Sequence, residues 1–99
     1  MTSLLAKQVY DIVSTIPAGK VSTYAALARN VGSSPRAVGR VLRNNPHPSV
    51  PCHRVICSDG RLSGYFGISD SADKRLLLVS EGVLFISERV SPECIIVFE

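Results

Sequence analysis

Three prolines stand within the six residues Pro46-His47-Pro48-Ser49-Val50-Pro51. Each lacks a backbone N–H and pushes the residue before it toward extended backbone, so neither a helix nor a central strand can run through the segment. The segment is therefore a stiff connector, and it delivers the next residue, Cys52, to a fixed place. Two earlier interruptions, Pro17-Ala18-Gly19 and Gly32-Ser33-Ser34-Pro35, leave room only for short helices ahead of it. With 99 residues, the expectation is one domain spanning 1–99.

Residues 3–16 place Leu5, Val9, Ile12 and Ile16 on one face of a helix that Ser3 can cap. Ser22 or Thr23 can cap a second helix, which runs to about Asn30 and is closed by Gly32. Ser33 or Ser34 caps a third, with Pro35 at its first position and its end near Asn45. Together the second and third helices outline a helix-turn-helix. Beyond the connector, Val55-Ile56-Cys57 predicts a short strand, Ser58-Asp59-Gly60 a turn, and Ser63-Gly64-Tyr65-Phe66-Gly67 a loop. A last helix opens at Ser71 or Asp73 and ends at Glu81, stopped by Gly82. Residues 83–90 and 94–98 read as the two arms of a terminal hairpin or wing, separated by Ser91-Pro92-Glu93. The expected fold class is mostly α with a small β component, in the style of a winged helix-turn-helix.

Charge is segregated along this framework. From Lys20 to Cys57 there are six cations (Lys20, Arg29, Arg36, Arg40, Arg43, Arg54) and no acid, whereas from Leu62 onward three cations face six acids. The first region sets up a field that attracts phosphate, although composition alone fits an ordinary solvated basic face equally well. On the third helix, Ala37, Val38, Val41 and Leu42 fall on one side, and Arg36, Arg40 and Arg43 share the other with Gly39 beside them. Planar guanidinium groups suit phosphate and base edges, and a glycine permits close approach of another backbone. A space-saving glycine on a surface stripe is the alternative.

The hydrophobic share of 45% against 19% charged supports a packed core and excludes a disordered chain. Three cysteines, none in a CxxC pair, speak against a disulfide framework or a four-cysteine zinc site. Apolar runs of about five residues, such as Cys94–Phe98, are too short for a membrane span, and the N-terminal residues lack the hydrophobic region of a signal peptide. The expectation is a soluble protein, cytoplasmic or nuclear and not secreted, that makes no use of a membrane.

Cys52 sits in the basic half beside His53 and Arg54, surroundings that favour a thiolate nucleophile. Neighbouring side chains on extended backbone point apart, so a relay from Cys52 to His53 calls for a water between them. By itself such a pair reads more readily as a buried, inert thiol beside a structural histidine. Cys57 and Cys94 read as core residues, and His47 as a loop residue.

Taken together, Ile16-Pro17-Ala18-Gly19-Lys20-Val21-Ser22-Thr23-Tyr24, Ser34-Pro35-Arg36-Ala37-Val38-Gly39, Asn45-Pro46, the PCHRV run at 51–55, Gly64-Tyr65, and Lys74 with Leu77, Leu78, Glu81 and Gly82 resemble the methylated-DNA-protein-cysteine methyltransferases. The likeness is collinear over roughly residues 5–85. It implies that Cys52 accepts an alkyl group from oxygen-6 of guanine, irreversibly and once per molecule. His53 matches the histidine that deprotonates the cysteine through a water, Glu81 the acid that orients it, and Asn45 the residue that braces the adjoining turn. Tyr24 matches the tyrosine at the target phosphate, Arg36 the arginine that fills the vacated space in the duplex, and Tyr65 the tyrosine at the flipped base. Thr23, Ala37, Gly39, Arg40 and Arg43 complete the DNA-binding set, and Val55, Ser63, Gly64, Phe66 and Lys74 the pocket. The likeness implies a monomer bound in the minor groove of double-stranded DNA with little sequence preference, needing no metal or organic cofactor.

Three features depart from the family pattern. Nothing corresponds to the N-terminal domain most members carry, the connector before Cys52 is one residue short, and the loop after Tyr65 lacks the usual glycine pair. Two rival readings remain beside the alkyltransferase. One is a noncatalytic alkyltransferase-like binder that flags damage, a group that typically has Trp or Ala in the place of Cys52. The other is a winged-helix regulator with a structural cysteine.

Overall fold

The computed structural model describes residues 3–62 and 72–98. Its helices are α1 (Leu4–Val13), α2 (Tyr24–Val31), α3 (Pro35–Arg43) and α4 (Ala72–Ser80), and its strands are β1 (Ser22–Thr23), β2 (Val55–Ile56), β3 (Phe85–Ile86) and β4 (Arg89–Val90). Two 3-10 turns, Cys52–Arg54 and Pro92–Cys94, complete the described elements. The mostly helical architecture with a small β component is the one expected.

Each of the first three helices starts where a side-chain hydroxyl can accept an orphan N–H. Ser3 caps α1 through the Ala6 amide, Thr23 caps α2 through Ala26, and Ser34 caps α3 through Ala37. Gly32 closes α2 in the left-handed conformation. Helix α1 ends at Val13 rather than at residue 16. The hydroxyls of Ser14 and Thr15 donate to the carbonyls of Tyr10 and Ile12, at 2.8 and 2.6 Å, and this local bonding competes with a further helical turn. Ile16 is still buried, through a tighter turn onto the Val13 carbonyl.

Helices α1, α2 and α3 pack mutually. Val9, Val13 and Ile16 meet Leu27, Val38 and Leu42, and the cluster extends to Val50, Cys52 and Val55. The Tyr10 hydroxyl donates to the Val41 carbonyl and ties α1 to α3. A second cluster joins Val21, Ile56, Leu78, Val83, Val90 and Cys94. Between the two clusters β1 pairs in parallel with β2, Ser22 opposite Val55 and Thr23 opposite Ile56. This short ladder fixes the site, because β1 runs straight into Tyr24 and β2 follows straight from the turn that carries Cys52.

The C-terminal region differs from the expected two-armed hairpin. The hairpin lies wholly within 83–90, where β3 and β4 pair antiparallel around Ser87 and Glu88, with Ser87 at φ 60°. No glycine or asparagine marks that turn, so the β-branched run concealed it. Pro92–Cys94 forms a 3-10 turn, after which Ile95 bridges Val21 and the Ile96 amide donates to the Val21 carbonyl. Residues 94–98 thus extend the β1 side of the molecule. Arg75 fastens α4 to the hairpin, its guanidinium 4.3 Å from the centre of the Phe85 ring and donating to the Ser87 carbonyl. Among the described residues no helix is long and apolar enough to cross a membrane.

Gly19 shows how tightly the α1–β1 link lies on α4. Its φ is +90°, and a Cβ built there would meet the Glu81 carbonyl oxygen at 3.2 Å. Gly19→Ala is expected to destabilise the fold by about 1–3 kcal/mol, because the backbone strain and the contact act together. Urea unfolding measures the loss, and an unchanged midpoint refutes it.

Candidate active site

Cys52 opens a 3-10 turn rather than an extended segment, so the expectation of opposed neighbouring side chains does not apply. The preceding connector is built as a bracket. The Asn45 carboxamide accepts the His47 N–H at 2.9 Å and donates to the His47 carbonyl at 3.0 Å, and the Val50 N–H returns to that same carbonyl. The Cys52 N–H then donates to the Val50 carbonyl at 2.8 Å. Cys52 is buried, 7% exposed, and packs into the helical core.

The next two residues turn toward the end of α4. His53 Nε2 lies 3.1 Å from both carboxylate oxygens of Glu81. Arg54 takes the same carboxylate in a fork, Nε to Oε1 at 2.9 Å and Nη2 to Oε2 at 2.6 Å, while Nη1 donates to the Ile16 carbonyl at 2.8 Å. An ionised carboxylate only accepts, so Nε2 of His53 is the donor, and in the neutral ring Nδ1 is the nitrogen that can accept. Arg54 and, secondarily, His53 hold the Glu81 carboxyl below its usual value, against the opposing effect of burial; the carboxylate in turn raises Arg54.

The family likeness assigns Lys74 to the pocket, and its setting is the carbonyl edge of β2 beside the cysteine turn. It is 1% exposed, and Nζ donates to the Val55 carbonyl at 2.6 Å. Desolvation pushes its pKa down to about 8, although the sulfurs of Cys52 and Cys57 pull in the other direction. The ammonium also lies 5.9 Å from the centre of the Tyr24 ring. Tyr24 in turn stands beside Gly39 of α3, where an added Cβ would be 4.0 Å from the ring, an ordinary contact. The tyrosine therefore bridges the surroundings of Cys52 and the arginine-bearing helix.

On that helix Arg36, Arg40 and Arg43 are exposed while Val38 and Leu42 are buried. Thr23 is buried, its hydroxyl taken by the α2 cap. The Ala37 amide serves the α3 cap. Cys94 is a core residue as expected, whereas Cys57 is only half-buried. His47 lies in the connector, its ring edge-on to Tyr10 with centroids 5.5 Å apart. Ser63, Gly64, Tyr65 and Phe66 lie outside the described residues. Among the described residues no three His, Cys, Asp or Glu side chains gather as a metal ion requires. A cavity of about 360 Å³ between α1 and the connector is lined by Lys7, Tyr10, Asp11, Ser14, His47 and Val50, away from the Cys52 side chain.

The feature that sequence reasoning missed is the Arg54 fork. Its signal was the acid-free run from 20 to 57, which leaves Arg54 no acid within four residues on either side. Which acid it reaches is decided by packing. Because Glu81 titrates below its ordinary value of 4.5 when folded, its contribution to stability is fully present above that value and is lost as pH falls through the lower one. Glu81→Gln is therefore expected to flatten the acid limb of stability against pH, measured by urea midpoints from neutrality down to pH 2. Parallel limbs in the two proteins refute this.

Residues 5–83 match the family described as 6-O-methylguanine DNA methyltransferase, DNA binding domain. The chain is 47% identical over 78 residues to the methylated-DNA--protein-cysteine methyltransferase of Methanothermobacter thermautotrophicus, covering 78% of this chain and 43% of that protein. It is 46% identical over 78 residues to the DNA base-flipping protein of Thermus thermophilus, covering 78% and 52%. The chain thus spans about half the length of these curated relatives. Among solved structures, S. pombe Atl1 in complex with damaged DNA containing O6-carboxymethylguanine superposes with a TM-score of 0.77 at 36% identity, covering 92% of this chain and 93% of that one. The O6-methylguanine-DNA methyltransferase of Pyrococcus kodakaraensis gives 0.72 at 41% identity, covering 82% and 47%. The chain belongs to the 6-O-methylguanine DNA methyltransferase family, whose DNA-binding domain it matches.

Proposed function

We propose that this chain removes alkyl groups, methyl among them, from oxygen-6 of guanine in double-stranded DNA by transferring them irreversibly to Cys52. The observation that carries the reading is the free Cys52 thiol followed directly in the chain by a histidine whose Nε2–H is engaged by Glu81, in a chain of this family. An alkyl carbon inside a base stack is out of reach of a protein sulfur, so the nucleotide is first extruded, at a cost of a few kcal/mol. Arg36, exposed on α3, fills the gap, Tyr24 acts at the target phosphate, and Arg40 and Arg43 hold neighbouring phosphates. The Cys52 proton passes through a water to Nδ1 of His53. The thiolate then attacks the alkyl carbon, a sulfur–carbon bond forms as the carbon–oxygen bond breaks, and the departing electron pair stays on guanine, which takes a proton. Tyr65 is the proposed partner of the departing base. The thioether is stable, so each molecule acts once.

A second reading, a noncatalytic damage binder, is favoured by the near end-to-end match to Atl1. The thiol at position 52 favours transfer. Duplex DNA carrying a labelled methyl on guanine oxygen-6 separates the two. Intact mass is expected to rise by one methyl in place of a proton, with no rise in Cys52→Ala. Lesion binding without a mass change overturns transfer in favour of the damage binder, and equal affinity for undamaged DNA overturns both.

Gly39 tests the DNA face. Since the protein accommodates a Cβ there in ordinary contact, Gly39→Ala is expected to stabilise the free protein by about 0.5–1 kcal/mol through helix propensity. If DNA backbone approaches this helix closely, the same methyl weakens lesion-duplex binding by about tenfold, equivalent to about 1.4 kcal/mol. A gain in stability with unchanged affinity removes Gly39 from the interface.

A further inference from the structure

A carboxylate 3.1 Å from an imidazole does two things at once. It orients the ring through the Nε2–H, and it attracts positive charge onto it. Only the first helps a base, because an imidazolium has no lone pair left to accept a proton. Here the attraction is opposed by Arg54, whose fork occupies both Glu81 oxygens at 2.9 and 2.6 Å. The three side chains are between 14% and 18% exposed, so solvent screens them only partly. The third nitrogen of the guanidinium is fixed on the Ile16 carbonyl at 2.8 Å, which leaves the fork little freedom to let go.

We infer that Arg54 is a positioning residue for the proposed reaction: it cancels the charge of Glu81 toward His53, so that the carboxylate orients the imidazole without turning it into imidazolium. The inference rests on Cys52 being the alkyl acceptor and His53 its base. The lowered Glu81 and raised Arg54 accord with a strongly coupled pair. Among the described residues, the charged and titratable groups brought together here are Cys52 and Arg54 from the turn that carries His53, Lys74 from α4, which packs on that turn, Glu81 directly after α4, and Cys57 and Tyr24 around Lys74. Arg54 is the cation that shares the carboxylate of the His53 contact. Lysine is a poor replacement, since one ammonium cannot span both oxygens and the Ile16 carbonyl together.

The test uses the free protein with its histidine rings isotopically labelled and followed by NMR against pH. The chain has two histidines, and exposed His47 serves as the internal reference. In Arg54→Gln the His53 midpoint is expected to rise by about one pH unit, a tenfold larger imidazolium-to-imidazole ratio at a given pH. Arg54→Lys is expected to raise it by about half as much, and adding Glu81→Gln to Arg54→Gln to abolish the rise. His47 is expected to stay in place throughout. The acid limb of alkyl transfer to Cys52 is expected to move upward with His53, whereas a purely structural arginine would lower the rate evenly at every pH. Coincident His53 midpoints in the wild type and folded Arg54→Gln overturn the inference. Should that variant not fold, coincident midpoints in Arg54→Lys do so. Failure of the wild type to take up methyl overturns the proposed reaction while leaving the titration result standing, so the two failures are distinguishable.

Discussion

The Glu81 carboxylate is the point at which separate stretches of the chain are held to one geometry. Its oxygens receive His53 and Arg54 from the turn after the proline connector, and through Arg54 they are linked to the Ile16 carbonyl behind α1. The backbone of Glu81 meanwhile lies against Gly19, where an added Cβ would be crowded at 3.2 Å from the Glu81 carbonyl oxygen. An ion pair this shielded gains from its Coulomb attraction only because the hydrogen-bond geometry is good, and removal of one partner leaves the other poorly solvated. The arrangement thus contributes position more dependably than it contributes stability.

Around this junction the chain keeps two kinds of cation apart. Arg36, Arg40 and Arg43 stand in solvent on α3, where they bear on association with an anionic surface. Arg54 and Lys74 are turned inward and bound to specific oxygens, where they bear on the state of neighbouring groups. Tyr24 touches both sets of surroundings, with Gly39 on one side and the Lys74 ammonium on the other. The two-residue ladder of β1 and β2 makes this possible. It sets the first residue of α2 close to the residue that follows the cysteine turn, although roughly thirty positions separate them in the chain.

Legibility in the sequence followed the range of the forces involved. The cap at Ser3, the caps narrowed to Ser22 or Thr23 and to Ser33 or Ser34, the left-handed Gly32 and the proline-bound connector were readable because each depends on neighbours within a few residues. The end of α1 was misjudged because Ser14 and Thr15 divert local carbonyls while the apolar spacing continues to Ile16. The hairpin was misplaced because its turn carries Ser87 at φ 60° with none of the usual turn residues. Cys52 is legible as a nucleophile from its basic surroundings, whereas the roles of His53, Glu81 and Asn45 come from an ordered family motif; the structure brings His53 and Glu81 into contact and sets Asn45 on the connector that leads to Cys52.

What the sequence determined by itself was the set of local decisions: where the first three helices start, that α2 closes at Gly32, which face of α3 carries arginines, and that Cys52 follows a rigid lead. Tertiary structure alone decided which acid meets Arg54, how far Lys74 is withdrawn from water, and that Gly39 faces Tyr24. The physical reason is that hydroxyl caps and proline act over a turn of backbone, whereas an ion pair or a buried ammonium takes its energy from the groups and dielectric that packing assembles around it.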